Sequence, residues 1–250
     1  MAFLRNVKYA LHRVIARGGY EVRHLWKSED DAFEAFLRER GPLPTRIPEK
    51  AYSIWQAVRW ASEAGVAGDF VECGVETGAT CVTASLAMQH LGDVRKIWLY
   101  DTFAGMPEPG PHDVNRDGRA ARPIYESRRR GDHTDWCYTP LDQVRRRMAD
   151  AGHPADRLEF VQGLVEDTIP GRVPEQIAVL RLDTDFYEST KHELEHLWPR
   201  LLPGGVLYID DYSSWRGARK AADEYFATHP PRPLLFRHGY GARTCVKATP

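Results

Sequence analysis

Five short runs rich in β-branched and aromatic residues, 69–73, 96–100, 158–162, 177–182 and 205–209, alternate with stretches that carry apolar residues at helical spacing. Such alternation builds βαβ units, in which a crossover helix returns the chain to lay the next strand parallel to the last. The expected fold is therefore α/β, an open, doubly wound, mostly parallel sheet with helices on both faces. Residues 234–247, two strand-like runs around Gly239-Tyr240-Gly241, are expected to close it with an antiparallel edge. With 250 residues and 42% apolar content, the chain can bury one sizeable core, and its length does not require two.

Two of the runs end in carboxylates. Ile177–Leu182 leads into Asp183-Thr184-Asp185, and Val206–Ile209 into Asp210-Asp211. In an open α/β sheet the carboxyl ends of the strands are where ligands bind. Four carboxylates gathered there repel one another and raise each other's pKa unless a cation sits among them. A hard divalent ion with oxygen ligands answers that repulsion, with Asp183, Asp210 and Asp211 as candidate ligands. Asp residues also cap helices and start turns, which accounts for one or two of the four. Asp185, two residues beyond Asp183, projects to the same side of an extended backbone and is free to act as a general base.

The first strand, 69–73, runs into Gly74-Val75-Glu76-Thr77-Gly78. Its two glycines do not have the dinucleotide spacing, and Glu72 and Glu76 would repel a pyrophosphate. A cofactor without phosphates fits better. S-adenosylmethionine is cationic at its ammonium and sulfonium, and its ribose diol seeks an acceptor such as Asp101 at the end of the second strand. Any tight βα turn uses glycine, so a purely structural turn is the alternative.

The remaining features exclude more than they assign. A formal net charge of −1 makes no electrostatic case for nucleic acid as a partner. Cys73, Cys81, Cys137 and Cys245 lack zinc or redox spacing and suit a reducing cytoplasm. Residues 1–19 have scattered basic residues and no continuous apolar stretch, unlike a secretory signal, and no run approaches membrane-spanning length. Phe3, Leu4, Val7, Leu11, Val14 and Ile15 at helical spacing are expected to dock on the chain's own domain or on a second subunit rather than on a membrane surface.

Residues 1–66 read as an N-terminal helical extension and 67–250 as the α/β domain. The segment 104–140, rich in Pro, Gly, Arg and Asp, reads as a structureless lid with His133 or Trp136 over the site. His192-Glu193-Leu194-Glu195-His196 matches the zinc-peptidase pattern but has no third ligand in sequence. The expected arrangement buries Leu194, Leu197 and Trp198 and leaves His192, Glu193, Glu195 and His196 facing solvent. The arginine run 128–130 reads as solvated surface.

Taken together, Phe70-Val71-Glu72-Cys73-Gly74-Val75, the block 100–107 (YDTFAGMP), 163–170 (GLVEDTIP), 179–190 (VLRLDTDFYEST), 202–212 (LPGGVLYIDDY) and 217–221 (GARKA) resemble the macrocin O-methyltransferase family. The resemblance covers roughly residues 68–228. It implies a Rossmann-like class I methyltransferase with a seven-stranded sheet, S-adenosylmethionine and Mg²⁺ as cofactors, Asp183, Asp210 and Asp211 on the metal, and Asp185 as base. Cofactor contacts are implied at Glu72, Gly74, Gly78, Thr80, Asp101, Thr102, Gly163 and Leu164. The chain departs from the family at Glu76-Thr77 and Ala79, where an aromatic or basic pair and a second glycine are expected. The implied acceptor is a small molecule, a deoxysugar hydroxyl on a glycosylated natural product; the extra N-terminal helices point to a homo-oligomer. An aromatic catechol-type acceptor, a metal-dependent phosphoester hydrolase and a non-catalytic cofactor-binding module are the competing readings.

Overall fold

A computed structural model describes residues 28–45, 47–239 and 241–249; the apolar pattern at 3–15 lies outside the described residues. Two helices come first, α1 (Asp31–Arg40) and α2 (Pro48–Glu63). Asp30 caps α1 by accepting from the backbone N–H of Ala32 and Phe33. Pro48 opens α2, where a missing N–H costs nothing. The sheet then alternates with helices as β1 (Asp69–Cys73), α3 (Ala79–Leu91) and β2 (Ile97–Asp101). The insert follows, with α4 (Arg122–Arg128), β3 (Arg129–Arg130) and β4 (His133–Thr134). Next come α5 (Leu141–Asp150), β5 (Leu158–Gln162), α6 (Val165–Thr168), β6 (Ile177–Leu182), α7 (Tyr187–Leu197), β7 (Leu201–Ile209) and α8 (Arg216–Thr228). The edge is β8 (Phe236–His238) and β9 (Ala242–Val246).

The sheet has seven strands in the order β5-β2-β1-β6-β7-β9-β8. The first five are parallel, while β9 runs antiparallel to both β7 and β8. The chain winds outward from β1 through β2 to β5, then crosses back to lay β6 on the other side of β1. The carboxyl ends of β1 and β6 therefore flank a topological switch point, where such sheets open a crevice.

Each face of the sheet carries its own core. Phe33, Phe36, Trp55, Met88, Val144 and Met148 from α1, α2, α3 and α5 cover one face, with Phe36 stacked on Trp55 at 4.7 Å. The helices ahead of β1 are thus built into the core of the sheet. Leu194, Leu197, Ala222, Tyr225 and Phe226 from α7 and α8 cover the other face. All four cysteines are unpaired, and only Cys137 is exposed. No helix among the described residues is long and apolar enough to cross a membrane.

Three elements depart from the sequence expectation. The helix after β6, whose sequence pattern spans 189–202, ends at Leu197, because Pro199 has no N–H for a continuing turn; a 3₁₀ turn, Trp198–Arg200, leads directly into β7, which starts at Leu201, four residues ahead of the expected run. The 104–140 insert is not structureless. Pro123 starts α4 in its first turn, Gly131 at φ +69° turns β3 back on β4, and Val114 and Asn115 form β-bridges to Ala120 and Trp215.

Candidate active site

Strand register assembles the carboxylates. Leu182 of β6 pairs with Ile209 of β7, so the residues that follow, Asp183 and Asp210, emerge side by side. The Asp183 N–H bonds to the Cys73 carbonyl, and the Asp210 N–H to the Leu182 carbonyl. The β1 turn then closes over them: a Cβ on Gly74 would stand 2.2 Å from the Asp183 carbonyl oxygen, and its φ of +82° suits only glycine. Carboxylate oxygens of Asp183, Asp185 and Asp211 lie within 4.8 Å of one another. Asp210, an expected member of the metal set, is turned instead toward two cations, with Lys50 Nζ at 2.8 Å and Arg181 Nη2 at 3.0 Å.

Those two cations were not legible as site residues. Arg181 is fully buried in β6, with Nη1 2.5 Å from Glu72 and 2.6 Å from Asp183. An arginine inside a strand covered on both faces must be paired, and that was the available signal. Lys50 comes from α2, 160 residues from Asp210 in sequence, and gives no such signal. Glu72, expected at the cofactor, is wholly buried and serves Arg181, with Thr80 and Cys81 also donating to its carboxylate.

The electrostatics follow from burial and crowding. Burial pushes the Asp185 carboxyl up to about 7, and the neighbouring Asp183 and Asp210 charges add to the effect. Asp183 and Asp211 are likewise raised well above the carboxylate range, by burial first. Burial acts the same way on Asp210, but Arg181 and Lys50 outweigh it and hold that group below its ordinary value. Three crowded carboxylates thus resist ionising together.

A cavity of about 240 Å³ opens over this cluster, and Gly74, Asp101, Thr102, Gly163 and Leu164 line it with the four aspartates. Asp101 braces its mouth. One carboxylate oxygen accepts from the N–H groups of Val75 and Glu76, the other from Phe103, leaving one of about four lone-pair sites for a ligand hydroxyl. The Thr102 hydroxyl donates to the Gly105 carbonyl and shapes the next turn. A second cavity, about 700 Å³, adjoins the first at Lys50, Glu76 and Asp183 and is lined by Thr80 at the start of α3 and by Arg147 of α5. Gly78, at φ +78°, caps α3 without lining either cavity.

The insert contributes Gly105, Met106, Pro107 and Cys137 to the first cavity. His133 and Trp136, expected over the site, line neither of these two cavities: His133 packs on Tyr138 at 4.6 Å, and Trp136 joins Phe186 and Trp215. On α7, His192, Glu195 and His196 bring ligand atoms within 4.8 Å of one another. Glu193, expected on the solvent side, is completely buried, because Thr190, Glu193, Leu194 and Leu197 form the inward stripe of this helix. The general base that the peptidase pattern requires therefore faces away from the histidines. Arg128, Arg129 and Arg130 are exposed, as expected.

Comparison with known proteins agrees with this construction. The sequence profile of the macrocin O-methyltransferase (TylF) family matches residues 48–233. The chain is 40% identical over 217 residues to the 8-demethyl-8-(2,3-dimethoxy-alpha-L-rhamnosyl)-tetracenomycin-C 4'-O-methyltransferase of Streptomyces olivaceus, covering 84% of this chain and 79% of that one. It is 34% identical over 179 residues to the mycinamicin III 3''-O-methyltransferase of Micromonospora griseorubida, covering 71% and 67%. The solved structure of the O-methyltransferase NovP superposes with a TM-score of 0.69 at 29% identity over 80% of each chain. A sheet that gathers aspartates at its switch point, and a profile match that spans those strands, lead to one assignment: the chain belongs to the macrocin O-methyltransferase family and is an O-methyltransferase.

Proposed function

We propose that this enzyme moves a methyl group from S-adenosylmethionine to a sugar hydroxyl of a glycosylated natural product, with Mg²⁺ at the carboxylate cluster. The observation that carries the reading is the meeting of Asp183, Asp185, Asp210 and Asp211 at one end of the cavity braced by Asp101. Two cavities joined at Lys50, Glu76 and Asp183 suit an elongated cofactor. Asp101, Gly163 and Leu164 would hold its adenosine half. Thr80, at the amino end of α3 where backbone N–H groups and the helix dipole favour an anion, and Arg147 of α5 would hold its carboxylate.

The donor set fits a hard divalent cation, since every candidate ligand is a carboxylate. Asp183, Asp210 and Asp211 would hold the ion, Asp210 turning to it from Lys50 and Arg181, which keep that carboxylate ionised. When bound, the ion acidifies a coordinated hydroxyl. Asp185 takes the hydroxyl proton as general base. The cavity walls hold acceptor and methyl donor in reach of each other, and this positioning supplies much of the acceleration. Relatives whose names specify a rhamnosyl-tetracenomycin or mycinamicin III as substrate support the sugar acceptor over an aromatic diol.

Transfer of labelled methyl from S-adenosylmethionine to the rhamnosylated tetracenomycin, or to mycinamicin III, tests the class; no labelled product from any glycoside would overturn it. Asp185→Asn is expected to slow transfer by about 10²–10⁴-fold while calorimetric Mg²⁺ binding persists. Loss of Mg²⁺ binding in that variant would make Asp185 a ligand instead of the base, in line with its grouping with Asp183 and Asp211.

A further inference from the structure

The insert between β2 and α5 is bonded to both acidic loops, and one buried carboxylate makes the key link. Asp113 is 2% exposed. One of its oxygens accepts from the Tyr187 N–H at 2.8 Å and the other from the Gly110 N–H at 2.7 Å. Its own carbonyl accepts from Ala121 at 2.8 Å, which closes the insert on itself. Tyr187 is the first residue of α7 and lies two residues after Asp185.

The loop between them is held in an unusual conformation. Asp185 sits at φ +68°, a left-handed backbone that non-glycine residues adopt only when their surroundings impose it. The turn is closed by the Phe186 N–H bonding to the Thr184 carbonyl at 2.8 Å. Asp113 fixes the next peptide along, so it fixes where that turn can end.

The same stretch of insert reaches the second acidic loop. Arg216 N–H bonds to the Val114 carbonyl at 2.8 Å, Arg116 N–H bonds to the Ser214 carbonyl at 2.9 Å, and Asn115 bridges to Trp215. These partners begin three residues after Asp211. Gly217 makes room for the link: a Cβ there would stand 2.4 Å from the Asp113 carboxylate and 3.1 Å from the Tyr187 nitrogen. An aromatic layer joins the same three segments, with Trp136 of the insert, Phe186 after Asp185 and Trp215 after Asp211 at centroid separations of 5.6–6.0 Å.

We propose that Asp113 is a positioning residue: by tying the insert to the start of α7, it holds the left-handed loop that aims Asp185, and residues 114–116 hold the Asp211 loop in register with it. The 104–140 segment is then, around Asp113, a clasp on the catalytic loops. This inference rests on the methyl-transfer reading for what Asp185 does, but not for the existence of the clasp. Asparagine at 113 keeps an oxygen for the Tyr187 N–H and loses the acceptor facing Gly110; alanine loses both.

Hydrogen exchange of peptides spanning 183–190 reads the clasp without any acceptor. Exchange is expected to quicken in Asp113→Ala and to stay near wild type in Asp113→Asn. In methyl transfer to the rhamnosylated tetracenomycin, Asp113→Ala is expected to lose about 100-fold in kcat, the scale of a misplacement near 1 Å. The acceptor KM and the affinity for S-adenosylhomocysteine should stay near wild type, and Asp113→Asn should recover most of the rate. Unchanged kcat in Asp113→Ala would overturn the proposal, as would an equal fall in kcat and cofactor affinity in both variants. Quickened exchange in Asp113→Ala, with no methyl transfer from wild type to any glycoside, would keep the clasp and sink the methyl-transfer reading instead.

Discussion

The charges at the heart of this site form a network: Glu72, Asp183 and Asp210 each lie within 4 Å of Arg181, and Asp183 and Asp210 also within 4 Å of Lys50. A fully buried guanidinium is tolerable only while its carboxylates face it, so removing one partner costs about 3–5 kcal/mol. Glu72→Ala is therefore expected to lower the melting temperature by roughly 6–20 °C in a chain of this size, measured by calorimetry; a shift below ~2 °C would show that Asp183 and Asp210 satisfy Arg181 alone. Gly74 makes a second demand at this scale. In Gly74→Ala the new Cβ must displace the Asp183 backbone it would strike at 2.2 Å. Loss of calorimetric Mg²⁺ binding is expected, with the fold retained by circular dichroism. The pairing of Glu72 with Arg181 follows from their register across β1 and β6, which no spacing of residues in the chain displays.

At the scale of elements, most of the plan was legible because it is local. The strand runs and the glycine-bounded turn before α3 depend on neighbouring residues, and every run ends within one residue of where the pattern puts it. The insert was harder to read, because its short elements draw their hydrogen bonds from Ser214, Arg216 and Tyr187, about 70–100 residues away. Helix α1 shows both influences. Its cap, Asp30, is a local signal, yet the same carboxylate also pairs with Arg59 of α2 at 2.9 Å and accepts from the Tyr52 hydroxyl. Asp30→Ala is expected to cost about 1–2 kcal/mol, seen as a lower urea midpoint with unchanged slope. Asp30→Asn should recover about half of this, since an amide oxygen still caps the helix while the ion pair is lost.

For the molecule as a whole, stability should depend on pH through a histidine outside the carboxylate cluster. His153 is buried between Ser85 and the Arg95 carbonyl, 3.0 Å from each. Burial holds its pKa below the ordinary value despite the bond to Arg95, so the folded protein keeps it neutral. The unfolded chain binds the proton more readily, and stability therefore rises with pH in that range. The contribution is complete above about pH 6.5 and is lost as pH falls below it. A His153→Gln variant, compared with wild type by denaturation between pH 5 and 7.5, should show a shallower decline; identical slopes would assign the pH dependence to other groups.

The sequence by itself determined the class of fold, the positions of the strand ends and the identity of the four aspartates, because periodicity and turn chemistry act over a few residues. Only the tertiary structure decided how those aspartates divide. Lys50 and Arg181 draw Asp210 aside while Asp183, Asp185 and Asp211 crowd together. It also set Glu72 against Arg181, outside the lining of both cavities, and folded the insert around Asp113. These outcomes depend on strand register and on the charges that burial forces into contact, and both arise only when segments distant in the chain are packed side by side.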